Sequence, residues 1–362
     1  MPDLPKSSPI LRFNTALLKK DLAKARDNLS GVVLEGDHLW LGGDEGTSID
    51  RMTRDGSGNY GSHIRFELQK TLHLPAPAKE EIDIEGLDVD GGYLWMIGSH
   101  SAKRKKAESG KSTAENLERL SKVEIGGNRF TLARVPLNAN AEPVAEHHGL
   151  TAARLLGDAG GNRLTAALQN DRHLGAFVPR LSAGQTVEGI PSKDNGFDVE
   201  GLAVSGNRVF LGLRGPVLRG WTMVIELRLS AASDAVFGLD SLGASGEPYL
   251  KHFLQLDGLG VRDLVIHGND LLILAGPSMD LDGPVFIYLW KDALNAGAES
   301  LTWRKDLMKV VTVPFGDGKD HAEGLALVTN APVSVLVCYD SPAPSRIVDA
   351  DEGGVRVDIF DV

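Results

Sequence analysis

One short phrase is written repeatedly along this chain, and its recurrence restricts the possible folds more than any other feature. It consists of an acidic or polar start, a glycine, an apolar strand, a glycine-centred turn, a second apolar strand and a polar exit. Asp198-Val199-Glu200-Gly201-Leu202 turns at Gly206-Asn207 and runs on to Leu213-Arg214. Asp83-Ile84-Glu85-Gly86-Leu87 turns at Gly91-Gly92 and leads through Leu94-Trp95-Met96-Ile97 to His100. Asp320-His321-Ala322-Glu323-Gly324-Leu325 leads through Val335-Leu336-Val337-Cys338 to Asp340. Weaker copies begin at Gly31, Gly149 and Asp263, so starts fall near residues 31, 86, 149, 201, 263 and 324.

A repeat of this length marks a radial or stacked architecture, in which each unit buries its faces only against its neighbours. Each interval has room for four strands. Third strands are read at Thr222 to Leu227 and Val285 to Trp290, both rich in β-branched and aromatic residues. Fourth strands are read at Ile64 to Leu68, Phe130 to Val135 and Val310 to Val313. The expected fold is all-β: a six-bladed β-propeller with four-stranded blades, residues 1–362 forming one domain. The last copy leaves too little chain for a full blade, so the N-terminal segment Pro9 to Phe13 is expected to supply its outer strand and close the ring. The alternative is a pair of β-sandwiches, but no linker separates two halves.

Glycine, at 42 of 362 residues, is abundant enough for the many tight turns this fold needs. The formal charge of −11 argues against a nucleic-acid partner, which would call for a basic surface. The single cysteine, Cys338, lies in an apolar run with no activating His or Lys beside it, and reads as a buried thiol. No apolar stretch approaches the ~18 residues of a membrane helix, and Met1 to Lys6 carries no signal pattern. The default expectation is a soluble, cytoplasmic chain without a membrane partner, with a removed signal peptide still compatible. Residues 102–112 are strongly basic and are expected to form a mobile excursion between two strands of the second blade; a lid over an anion is the competing reading.

In a propeller, the entry to each innermost strand and the exit of the next share one face. The residue preceding the repeat glycine then forms an axial ring of Ser30, Glu85, His148, Glu200, Arg262 and Glu323. Glu85, Glu200 and Glu323, with Asp83, Asp198 and Asp320, are candidate ligands for Ca²⁺ or Mg²⁺, because hard cations take oxygen ligands. The competing reading is that Arg262 and backbone amides satisfy these acids and only fasten blades together. Arg214, Arg262, Arg172 and Arg219 are candidate anion contacts, since the planar guanidinium donates two bonds at once, and His173 is a further one. His100 is a candidate proton carrier. Gly56-x-Gly58-x-x-Gly61 precedes a strand rather than a helix, so no nucleotide cofactor is expected. No Gly-x-Ser-x-Gly elbow and no paired-Cys or His-Glu-x-x-His pattern occurs.

The set formed by Asn28-Leu29-Ser30-Gly31, Asp83 to Leu87, Asn195 to Leu202, Arg262-Asp263-Leu264 with Ala275-Gly276-Pro277, and Ala322 to Leu325 with Tyr339 to Pro342 spans nearly the whole chain. It resembles an uncharacterised bacterial family of unknown function, related to the phytase-like, or "esterase-like activity of phytase", propellers. The resemblance implies a propeller whose axial acidic face, in the phytase-like relatives, holds Ca²⁺ and a phosphate ester. Two functions compete: a metal-assisted hydrolase of a phosphate or related ester, with Glu85, Glu200, Glu323 and His100 as catalytic candidates, or a non-catalytic propeller binding a small anion, a sugar or a protein partner. The oligomeric state is left open.

Overall fold

The computed structural model describes residues 2–182, 186–233, 235–349 and 353–362. Its second strands explain the architecture. Leu39 and Leu41 pack into one apolar cluster and Trp40 between them into another. Leu94 and Met96 face one way, Tyr93, Trp95 and Ile97 the other. Leu271, Ile273 and Ala275 alternate with Leu272 and Leu274, and Val335, Val337 and Tyr339 with Leu336 and Cys338. Side chains alternate across a strand, so a continuous apolar run can be buried only if another layer covers each face. Each sheet is accordingly sandwiched between two neighbours, and five apolar clusters fill the gaps between successive sheets.

The result is a β-propeller arrangement. Among the described residues, four sheets have four or more strands and a fifth has three. Their innermost strands are Leu29–Glu35, Ile84–Asp90, Asp198–Ser205, Gly260–His267 and His321–Asn330. Each touches the next, and the last touches the first, so the ring is closed. The fourth sheet follows the expected plan, with Gly260–His267, Asp270–Gly276, Val285–Trp290 and Met308–Val313 in order. The fifth ends on the C-terminal strand Asp358–Asp361. Ser7 bridges Ile359 on its outer edge, and Ile10–Arg12 continues into the first sheet, pairing with Tyr60–Glu67 and Gly354–Arg356. The outer strand of the last sheet is thus C-terminal, and Pro9 to Phe13, expected there, lies in the first sheet instead, because Ile10–Arg12 pairs with Tyr60–Glu67 and Gly354–Arg356.

Six blades are not found among the described residues, and the copy beginning at Gly149 is the reason. Leu150–Thr151 closes a small hairpin with Glu146–His147. Ala153–Leu155 is the fourth strand of the second sheet, a place expected for Phe130 to Val135. The latter stretch contributes Leu132–Pro136, the third strand. Leu164-Thr165-Ala166-Ala167-Leu168, which a repeat starting at Gly149 and turning at Gly160-Gly161-Asn162 would need as its second strand, lies instead in the helix Arg163–Leu168, capped by the Asn162 side chain, which accepts from the backbone N–H groups of Leu164 and Thr165. Leu164 and Leu168, four apart, bury on one helical face. A five-residue apolar run does not distinguish a short helix from a strand.

Two devices hold the inner strands together. Gly86 and Gly201 permit close approach at the axis, since a Cβ at Gly86 would lie 2.7 Å from the Leu202 Cβ, and one at Gly201 would lie 2.8 Å from the Leu264 Cγ. Asp88 accepts from the Val204 N–H at 2.6 Å, and Asp263 from the Leu325 N–H at 2.7 Å, so each carboxylate pins the next inner strand. Among the described residues, no helix is long and apolar enough to cross a membrane.

Candidate functional site

Every inner strand carries an irregularity at the same place. Ile84 pairs with Gly98 and Gly86 with Ile97, which leaves Glu85 as the extra residue of a β-bulge. Glu200 is skipped between Val199 and Gly201, Arg262 between Val261 and Asp263, and Glu323 between Ala322 and Gly324. In the first sheet, register is lost between Leu29 and Val32, across Ser30. A bulge releases one residue from the ladder and re-aims its side chain. These residues meet at one end of the ring. Ser30 donates to the Ile84 carbonyl at 2.6 Å, and the charged ones converge on the axis. His148 has no part in this, being exposed beside the 146–151 hairpin.

A cavity of about 530 Å³ opens there, lined by Asp44, Asp83, Glu85, Asp198, Glu200, Glu323 and Asp340 on the acidic side. Arg129 and Arg214 also line it, and Lys103, Arg104, Lys105, Lys106 and Lys193 contribute cations. In the basic excursion Ala102–Arg104 pairs with Val123–Ile125, and the two are joined through the helix Thr113–Ser121. Its cations are tethered: Arg104 binds Asp194 at 2.7 Å, Lys105 binds Glu124 at 2.6 Å, and Lys106 lies 3.6 Å from Asp280.

The acidic residues divide by partner. Glu200 is gripped by Arg214 at 2.7 Å and by Arg262 at 2.7 and 3.0 Å. Burial pushes its carboxyl up, but the two guanidiniums outweigh that and hold it below the ordinary range. Asp83 pairs with Arg129, and Asp320 with Arg346 at 2.9 Å. Arg262 also reaches Glu323 at 3.1 Å. Asp44, Glu85 and Glu323 are different: each offers a carboxylate oxygen, and the three lie within 4.8 Å of one another. Burial first, then the charges of Asp83 and Asp44, drive Glu85 well above the usual range. Burial and the charges of Asp83 and Glu323 do the same to Asp44. Glu323 is pushed up to about 7 by burial and by Asp340 and Glu200, against the pull of Arg262. Asp198 is pushed up to about 8, by burial and by Glu200.

Six oxygen candidates were expected for a cation, and their places differ. Glu85 and Glu323 stand in the three-carboxylate cluster, while Glu200, Asp83 and Asp320 spend their charge on arginines. Asp198 lines the cavity, 3.8 Å from Arg214. Asp44 was not expected. It occupies the second-strand exit of the first sheet, where Asp340 stands in the fifth, and that equivalence was the available signal. Arg129 was missed because it comes from the turn Gly127–Phe130, outside the repeat.

The remaining candidates lie elsewhere. His100 is fully buried and does not line the cavity. Its Nδ1 contacts the Gly98 carbonyl at 2.7 Å and its Nε2 the Asn162 amide at 2.7 Å, while burial pulls its pKa down to about 4. Arg172 lines a separate pocket beside the third sheet, with Asp171, Tyr249 and Lys251. His173 contacts the same Lys251 at 3.3 Å. Arg219 is exposed in the turn from Leu218 to Trp221.

Fold and site together define a β-propeller with a carboxylate-lined axial funnel bordered by fixed arginines. The chain belongs to the family described as "Protein of unknown function (DUF3616)", whose match covers residues 28–358. No curated protein matches it. Among solved structures it is similar to the glutaminyl cyclase of Myxococcus xanthus, at 9% identity and TM-score 0.41, covering 99% of this chain and 97% of that one. It is also similar to the PQQ-bound aldose sugar dehydrogenase of Streptomyces coelicolor, at 10% identity and TM-score 0.38, covering 99% and 100%. The Cps50 (Swd1) β-propeller domain of Myceliophteria thermophila matches at 12% identity and TM-score 0.37, covering all of both chains. Neither the family match nor these three structures ties the chain to the phytase-like propellers.

Proposed function

We propose that the protein is a metal-assisted hydrolase of a phosphate or related ester, acting in the axial funnel with a divalent cation, Ca²⁺ or Mg²⁺, held by Asp44, Glu85 and Glu323. The observation that carries this reading is the approach of those three carboxylates, whose mutual repulsion a hard cation would relieve. Their spacing fits oxygens sharing one ion, since Ca²⁺–oxygen distances are about 2.3–2.6 Å. When bound, such an ion polarises an ester oxygen and acidifies water. The chain's own residues have other parts. Arg214 and Arg262 are locked by Glu200 and present fixed positive charge to an anion beside the acids. Asp198, whose carboxyl burial and Glu200 hold well above the ordinary range, can give its proton to the departing alkoxide as the ester bond breaks, while the attacking water forms the new bond and its proton returns to Asp198. The lysines above draw anions to the mouth.

The test is calorimetric titration of chelator-treated protein with CaCl₂ and MgCl₂, with a phosphoester and ester panel run beside it. One ion per chain is expected, with affinity at least about tenfold weaker in Glu85→Gln, and turnover only with the cation. Equal affinities for wild type and variant would refute the assignment. A second reading keeps the same site without turnover. It is favoured by the pairing of Arg214 and Arg262 with Glu200, which leaves part of their charge already spent. It predicts thermal stabilisation by cation plus anion, with no hydrolysis of any ester in the panel.

A further inference from the structure

A second cavity, of about 270 Å³, adjoins the funnel and shares Lys193, Arg214, Asp280, Glu323 and Asp340 with it. Its character is different. Pro277, Met279, Leu281, Val285 and Phe315 line it, and Met279, Leu281 and Phe315 are 40%, 62% and 42% exposed. Three large apolar side chains left open at one rim, around a pocket that continues into a charged site, mark a surface that binds something apolar.

The polar groups of this pocket are almost all satisfied. Asp280 sits 3.6 Å from both Lys106 and Lys193. His321 holds Asp282 at 3.0 Å and Asp340 at 3.7 Å. Arg214 donates to Glu200 and to the carbonyls of Ser278 and Met279. Arg262 is the exception. It is 6% exposed, its terminal nitrogens are taken by Glu200 and Glu323, and its Nε has no partner. Buried donors are rarely left so, and Arg262 brings its charge to the wall of this pocket.

Resting on the anion-ester reading above, we propose that the ester this site takes is amphiphilic. Its anionic head faces the Arg262 charge and the cation that the axial carboxylate cluster would hold, and its alkyl or aryl group lies on Met279, Leu281 and Phe315. A compact polar ester such as a sugar phosphate would leave that rim wet and unused.

The experiment is calorimetric binding of inorganic, methyl, butyl, hexyl and phenyl phosphate to the full chain in saturating CaCl₂. Affinity should rise about two- to fourfold per methylene from methyl to hexyl, as burial of each CH₂ requires, and phenyl should exceed methyl. In the Leu281→Ser/Phe315→Ser double variant this dependence on chain length should flatten. Equal affinity for methyl and hexyl phosphate would overturn the amphiphilic assignment and leave the anion site standing. No binding by any member, inorganic phosphate included, would overturn the anion site and this inference with it.

Discussion

Replacing Glu200 by glutamine separates a fastening role from a metal-binding one. The side chain is 3% exposed, and its two oxygens take three hydrogen bonds from Arg214 and Arg262, each 7% exposed. Removing one member of a buried ion pair costs about 3–5 kcal/mol, because the partner charges stay desolvated. Two features moderate the loss: Arg262 keeps Glu323, and Arg214 keeps the carbonyls of Ser278 and Met279 with Asp198 at 3.8 Å. About 3 kcal/mol is therefore expected. With an unfolding entropy of ~2.1 cal/mol/K per residue, that loss corresponds to a fall in Tm of roughly 4 °C for a chain of this length. Scanning calorimetry at pH 7 reads it directly. Arg262→Met added to Glu200→Gln should cost less than the two single losses summed, because the second change removes one of the stranded charges. Cation affinity of Glu200→Gln should stay close to wild type, in contrast to Glu85→Gln. A Tm within 1 °C of wild type, or a collapse of cation affinity, would refute the reasoning.

Three further outcomes follow from other buried groups. Gly86→Ala puts a methyl 2.7 Å from the Leu202 Cβ and 2.9 Å from its backbone nitrogen, an overpacking that should cost about 1–3 kcal/mol in denaturant unfolding; an unchanged midpoint counts against the close approach. Burial pushes the Asp88 carboxyl up to about 7, so the folded state holds its proton more firmly than the unfolded one; the stability it contributes is complete below about 4 and is lost as pH rises to 7, a slope that Asp88→Asn should remove. His100 has the opposite sign: with its pKa pulled down to about 4, its contribution is present above about 6.5 and is lost as pH falls toward 4. An NMR titration should find the His100 ring still neutral at pH 5.5, and ordinary titration near 6.5 would contradict its buried contacts with Gly98 and Asn162.

Much of this arrangement is legible from the repeat, because a residue's position relative to the inner-strand glycine predicts where its side chain goes. Glu85, Glu200, Arg262 and Glu323 were placed on one axis by that rule, and they meet there. The rule fails where other physics governs. Around Gly149 the spacing and turn residues imitate the repeat, yet Asn162 caps a helix and the apolar run satisfies a helical face as well as a strand. Which acids spend their charge on arginines from outside the repeat was also hidden. Arg129 and Arg346 approach Asp83 and Asp320 from segments outside the motif, and a repeat carries no information about partners that do not repeat. His100 sits at a polar exit like Asp340, but a positive φ of 54° turns it away from the opening and its ring packs against Phe130.

The bulges separate what the scaffold needs from what the axis presents. Glu85, Glu200, Arg262 and Glu323 fall outside the cross-strand pairing, and the glycine or aspartate after each resumes the ladder. Exchanging such a residue changes the charge at the centre without asking the strands to re-register. The ring already shows the range, with serine, glutamate and arginine in equivalent seats on one backbone. A propeller built this way can be given a new set of central groups one sheet at a time, which makes those seats the natural handles for redirecting its chemistry.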